Sequence, residues 1–159
     1  MEIAELLLNH GDNITASNDE GVTPLYCAVR SGRVDGVKML IDRGAYVNGK
    51  TRDGTTPLHN AMEYKKMVIA ELFLNHGADV DARDKSGVTP LYCAVRSGRV
   101  DGVKMLIDRG AYVNGKTRDG KTPLHNAMEY EKMEIAELLL NHGADVDARD
   151  KSGITLYCS

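Results

Sequence analysis

Residues 56–61 read TPLHNA, and residues 122–127 read TPLHNA again. A related hexapeptide, TPLYCA, occupies 23–28 and 89–94. Successive copies begin 33 residues apart. Gly21, Gly54, Gly87, Gly120 and Gly153 keep that step of 33, as do Gly11, Gly44, Gly77, Gly110 and Gly143. All four prolines belong to the hexapeptides. Self-similarity at a fixed period of about 20–50 residues marks a chain built from stacked repeats.

The hexapeptide and the period together resemble the ankyrin repeat, whose signature is T-P-L-H-x-A. LLLNHGADVDA at 138–148 is similar to the way that family ends its second helix. The resemblance covers essentially the whole chain. It implies an all-α fold, an ankyrin-repeat solenoid of stacked helix-turn-helix units with loop or β-turn fingers. The expected organisation is a single array over 1–159. Full repeats run 18–50, 51–83, 84–116 and 117–149, with partial repeats at 1–17 and 150–159.

Repeats one and three carry TPLYCAVRSG, whereas repeats two and four carry TPLHNAMEY. Residues 21–86 differ from 87–152 at four positions, Thr55/Lys121, Lys65/Glu131, Val68/Glu134 and Phe73/Leu139. A two-repeat block has therefore been duplicated.

The composition fits such a fold. Of 159 residues, 42% are hydrophobic and 27% charged, as in soluble globular chains. Aromatics are 5%, with no Trp and one Phe, so the core is expected to be thin and aliphatic. The net charge of −3 argues against a general nucleic-acid binder. No apolar run approaches the ~18 residues of a membrane helix, and Glu2 and Glu5 are the wrong sign for a signal peptide. Neither nucleic acid nor membrane is an expected partner.

Within a repeat, helix chemistry sets the boundaries. Thr23 is placed to cap a first helix with its hydroxyl, and Pro24 fits the first helical position, where no N–H is needed. Leu25, Ala28 and Val29 fall on one stripe. Gly32 permits the turn into a second helix carrying Val34, Val37, Met39, Leu40 and Ile41. Gly44 is expected to end that helix in the left-handed conformation. Lys65 and Glu131 replace the turn glycine, which predicts a lengthened first helix or a strained turn. Gly36 and Gly102 fall inside second helices, at a cost of about 1 kcal/mol each against Ala. Close packing on a neighbouring repeat is the expected compensation.

The reactive residues follow the period, which argues against a unique active site. Cys27 and Cys93 share a register two repeats apart, roughly 20 Å by helix packing, too far for a disulfide. Both are expected to be free, buried thiols, as Cys158 is expected to be free, in a reducing intracellular compartment, most simply the cytoplasm. A Cys27–His59 or Cys93–His59 pair would lie about 10 Å apart, beyond proton-transfer reach. Neither a phosphate-binding glycine loop nor metal-ligand clustering is present. No enzyme activity, cofactor or metal is expected. His10, His76 and His142 precede C-terminal glycines, where a partial positive charge suits the helix dipole. The family resemblance implies that Thr56/His59 and Thr122/His125 link the signature side chains to backbone. Tyr26 and Tyr92 take the histidine's place in the other two repeats.

The resemblance also implies a non-catalytic protein-interaction module. In that family the concave face of fingers and first helices binds a partner protein or peptide. Its fingers map here to Lys50-Thr51-Arg52-Asp53, Arg83-Asp84-Lys85, Lys116-Thr117-Arg118-Asp119 and Arg149-Asp150-Lys151, each with two basic residues and one acid. The candidate partner-binding residues are Lys50, Arg52, Arg83, Lys85, Lys116 and Arg118, with Arg30, Tyr64, Arg96 and Tyr130 on the adjoining helices. Their charge favours an acidic partner. The alternative is a structural array, an engineered scaffold, or a fragment of a longer protein. Its ends lack polar caps, so it would self-associate head to tail.

Overall fold

The computed structural model describes residues 13–156. Among these there are eight helices and no strand. They are α1 (Pro24–Ser31), α2 (Val34–Asp42), α3 (Pro57–Glu63), α4 (Met67–Asn75), α5 (Pro90–Ser97), α6 (Val100–Asp108), α7 (Pro123–Glu129) and α8 (Met133–Asn141). The chain divides into two compact units, Met1–Asp79 and Val80–Ser159. In the first, α1 packs on α2 and α3 on α4, and the pairs stack with α1 on α3 and α2 on α4. In the second, α5–α8 repeat this arrangement.

Every first helix starts as its letters dictate. Thr23, Thr56, Thr89 and Thr122 are extended, and each hydroxyl accepts the backbone N–H three residues on, ahead of a proline in the first helical turn. The apolar stripe faces inward. Leu25, Val29, Val37 and Leu40 are buried in the first pair, and Leu58, Ala61, Met62, Ile69, Ala70 and Phe73 in the second. Gly44 follows the second helix at φ 90°. Its N–H donates to Ile41 O (2.9 Å), and the Ala45 N–H to Leu40 O (2.9 Å), closing the last turn.

The two repeat types part company at the turn. In α1 and α5, Gly32 and Gly98 take φ 73° and 74°. In the other type Lys65 and Glu131 hold φ 58° and 54°. Of the two expectations the strained turn is realised, and the lengthened helix is not: α3 and α7 have seven residues against eight in α1 and α5. A left-handed non-glycine residue costs about 1–2 kcal/mol, and both side chains are exposed. Lys65→Gly and Glu131→Gly are therefore each expected to stabilise the chain by roughly 0.5–1 kcal/mol, after the entropy cost of glycine. Urea unfolding checks this, and a loss of stability in both variants would refute it.

Two other expectations need correction. A Cβ on Gly36 would meet Arg33 Cβ at 3.7 Å and Ala28 Cβ at 4.0 Å, ordinary contacts within its own repeat. Packing on a neighbouring repeat does not explain that glycine. Cys93 is buried as expected, but Cys27 is exposed. In a stack, burial depends on the neighbours as well as on the repeat itself, so identical registers need not be equally covered. Cys158, His10 and Glu5 lie outside the described residues.

Candidate functional site

The fingers are built from one recurring turn. Residues 18, 51, 84, 117 and 150 are Asn, Thr, Asp, Thr and Asp. In each, a side-chain oxygen accepts the N–H four residues on, from Val22, Thr55, Val88, Lys121 and Ile154 (2.9–3.2 Å). Asn, Asp and Thr suit such turns because their short side chains reach local backbone.

Neighbouring fingers are then fastened backbone to backbone. Arg52 N–H donates to Glu20 O (2.7 Å) in the first unit. In the second, Arg118 N–H donates to Ser86 O (2.8 Å) and Lys151 N–H to Asp119 O (2.8 Å). This close approach accounts for Gly21, Gly87 and Gly120 of the first glycine ladder, whereas Gly153 has nothing within 4 Å of a Cβ and is explained by its positive φ alone. A Cβ on Gly21 would sit 2.9 Å from Thr51 Cα, and one on Gly120 2.9 Å from Lys151 N. Both glycines also hold positive φ, 78° and 77°.

All ten candidate partner-binding residues are exposed. The first unit carries Arg30, Lys50, Arg52 and Tyr64, and the second carries Arg83, Lys85, Arg96, Lys116, Arg118 and Tyr130. They are not equally available. Arg83 Nη2 donates to Lys116 O, so its guanidinium already ties one finger to the next. The Arg96 guanidinium lies 6.0 Å from the Tyr92 ring centroid and donates from Nη2 to Cys93 Sγ. Lys121, on the finger side of α7, donates to Glu129 Oε2 (2.8 Å), and this bond pushes its pKa up. Tyr26 has its hydroxyl pKa raised, first by burial and then by Tyr64.

Sequence reasoning missed Lys132. Its ammonium donates to Val95 O (2.8 Å) and Arg96 O (2.7 Å) at the end of α5. It also lies 5.3 Å from the Tyr130 ring centroid. A cation suits helix-terminal carbonyls, the negative end of the helix dipole; Val95 O also accepts the Gly98 N–H (3.0 Å). The recurrence of Lys66 at the same register was the available signal. Its Nζ lies 2.9 Å from where a Cβ on Gly32 would be.

The signature side chains sit behind this surface. Thr56 N–H donates to His59 Nδ1 (3.1 Å), and His59 N–H donates to Thr56 Oγ1 (3.5 Å). Thr122 and His125 repeat the exchange at 3.1 and 3.4 Å. In the tyrosine repeats only half survives: Tyr26 and Tyr92 N–H donate to Thr23 and Thr89 Oγ1. His125 Nε2 finds no partner among the described residues. His76 and His142 bond through Nδ1 to Leu72 O (2.8 Å) and Leu138 O (2.9 Å), fastening the last helical turn.

Stacked helix pairs with hydrogen-bonded fingers define a helical repeat protein. The family model described as Ankyrin repeats (3 copies) matches residues 1–51 and 47–117, and the model for a single Ankyrin repeat matches 119–151. The chain belongs to the ankyrin-repeat family. Such repeats are generally protein–protein interaction modules and are typically non-catalytic. No curated protein matches the chain. Among the described residues no helix is long and apolar enough to cross a membrane.

Proposed function

We propose that residues 1–159 form a single non-catalytic array that binds an acidic protein or peptide through its fingers and first helices, in the cytoplasm. The observation that carries this is the exposure of every candidate basic and tyrosine residue on a backbone-fastened frame. Arg and Tyr are the residue types that most often dominate interfaces, and a basic field steers an acidic partner.

Lys85, Lys116 and Arg118 are the cleanest probes, because Arg83 also holds the frame. The test is fluorescence anisotropy of Glu/Asp-rich peptides against the full chain, with a Lys85→Glu/Lys116→Glu/Arg118→Glu variant alongside. Binding that weakens with salt and falls at least about tenfold, ~1.4 kcal/mol, in the variant is expected. Unchanged binding in a variant with an unaltered melting curve would remove the finger assignment.

A second reading, end-to-end self-association, rests on an apolar patch on the last helix pair. Met133, Leu140 and Val146 are 60%, 42% and 37% exposed beside Leu124 and Ala136. Light scattering across a concentration series separates the readings, since a strict monomer excludes the second.

A further inference from the structure

The loop after each second helix carries a period-matched residue at 48, 81, 114 and 147, namely Asn, Asp, Asn and Asp. At 48, 81 and 114 its side chain bonds to the next loop of this kind. Asn48 Nδ2 donates to Gly77 O (3.0 Å), and Asp79 N–H donates to Asn48 Oδ1 (2.7 Å). Asn114 does the same with Gly143 O (3.0 Å) and Asp145 N–H (2.8 Å). Asp81 accepts the corresponding N–H, from Tyr112 (2.8 Å). A carboxylate has no N–H to return to a carbonyl, so this clasp lacks the donor half of the asparagine form.

The following residue alternates as well. Gly49 and Gly115 follow the asparagines, Ala82 and Ala148 the aspartates. Asn-Gly is the pairing in which the next backbone nitrogen reaches the side-chain amide most easily, because glycine offers no Cβ to obstruct it. Asn48 and Gly49 lie in a turn, with Gly49 N–H donating to Tyr46 O at 3.4 Å.

We propose that Asn48 and Asn114 are sites of spontaneous deamidation, gated by their clasps, and that conversion leaves each clasp in the weaker form seen at Asp81. The Gly49 nitrogen loses its proton to hydroxide and attacks Asn48 Cγ. The Cγ–Nδ2 bond breaks, ammonia leaves, and a five-membered succinimide remains. Water then opens the ring. Addition at Cγ gives aspartate, and addition at the main-chain carbonyl gives isoaspartate, which lengthens the backbone of the turn by one carbon. Because the clasp holds both ends of the amide, Cγ becomes reachable only when the clasp opens. Asn48 is exposed and Asn114 half-buried, so Asn48 converts first.

The test follows the intact chain in mildly alkaline buffer by peptide-mapping mass spectrometry. Asn75, Asn126 and Asn141 serve as internal references, being followed by His, Ala and His. Conversion at 48 and 114 is expected to be an order of magnitude faster than at the references, and faster still in denaturant. Gly49→Ala and Gly115→Ala bring it down to the reference rate. Alanine is the residue of the other two repeats, and a Cβ at Gly49 meets nothing closer than Tyr46 O at 3.5 Å. An Asn48→Asp/Asn114→Asp chain melts roughly 2–4 °C lower per site. Reference-level conversion at both sites, or no effect of the alanines, overturns the chemistry. No acceleration in denaturant overturns the gating, and an unchanged melting point overturns the weakened clasp.

Discussion

Phe73→Ala lowers the stability of the chain by about 3–5 kcal/mol, while Phe73→Leu lowers it by less than about 1.5 kcal/mol. Phe73 is the only phenylalanine and is fully buried on α4. Truncation to alanine removes the ring and leaves a cavity that the surrounding packed side chains cannot fully close. Leucine is tolerated because the chain already uses it: Leu139 stands in the same register of α8 and is equally buried. Urea unfolding followed by circular dichroism checks both variants. Equal losses for the two substitutions would mean that Phe73 does not fill the core as described.

His59→Ala is the second large effect, a loss of roughly 2–4 kcal/mol. The imidazole accepts from the Thr56 N–H at 3.1 Å, and Thr56 and His59 are 1% and 2% exposed. Alanine leaves that N–H buried without this acceptor, which alone costs about 1–3 kcal/mol, and adds a cavity. His59→Tyr is the control. Tyrosine stands in this register of repeats one and three, where its N–H still donates to the threonine hydroxyl. The tyrosine variant is expected to lose less than the alanine one. The reverse order in thermal melting would show that the reciprocal cap is not what this histidine contributes.

The helix pairs were legible because their causes are local. Thr-Pro fixes where a helix begins, Gly44 where one ends, and the apolar spacing which face is buried. The exposure of the charged candidates was equally readable, since charged side chains are rarely buried without a partner; for tyrosine the residue type decides less, Tyr64 and Tyr130 being exposed and Tyr92 buried. The fasteners were not readable. Arg118 N–H to Ser86 O is a bond between backbone atoms, and no side chain announces it. Lys132 reads as one more surface lysine until a helix end is found beneath it. The choice between strain and extension at Lys65 rested on where the next helix packs, and the exposure of Cys27 on its neighbours, neither of which a single repeat encodes.

The finger turns separate what holds the chain together from what it shows to others. Fastening runs through main-chain atoms of residues 52, 118 and 151, which every amino acid but proline possesses in full. The side chains at those positions are thus released from structural duty and can be exchanged without loosening the frame. Under the proposed function, a surface made this way is a template with replaceable type: new specificities can be set at these finger positions while the press that carries them stays the same.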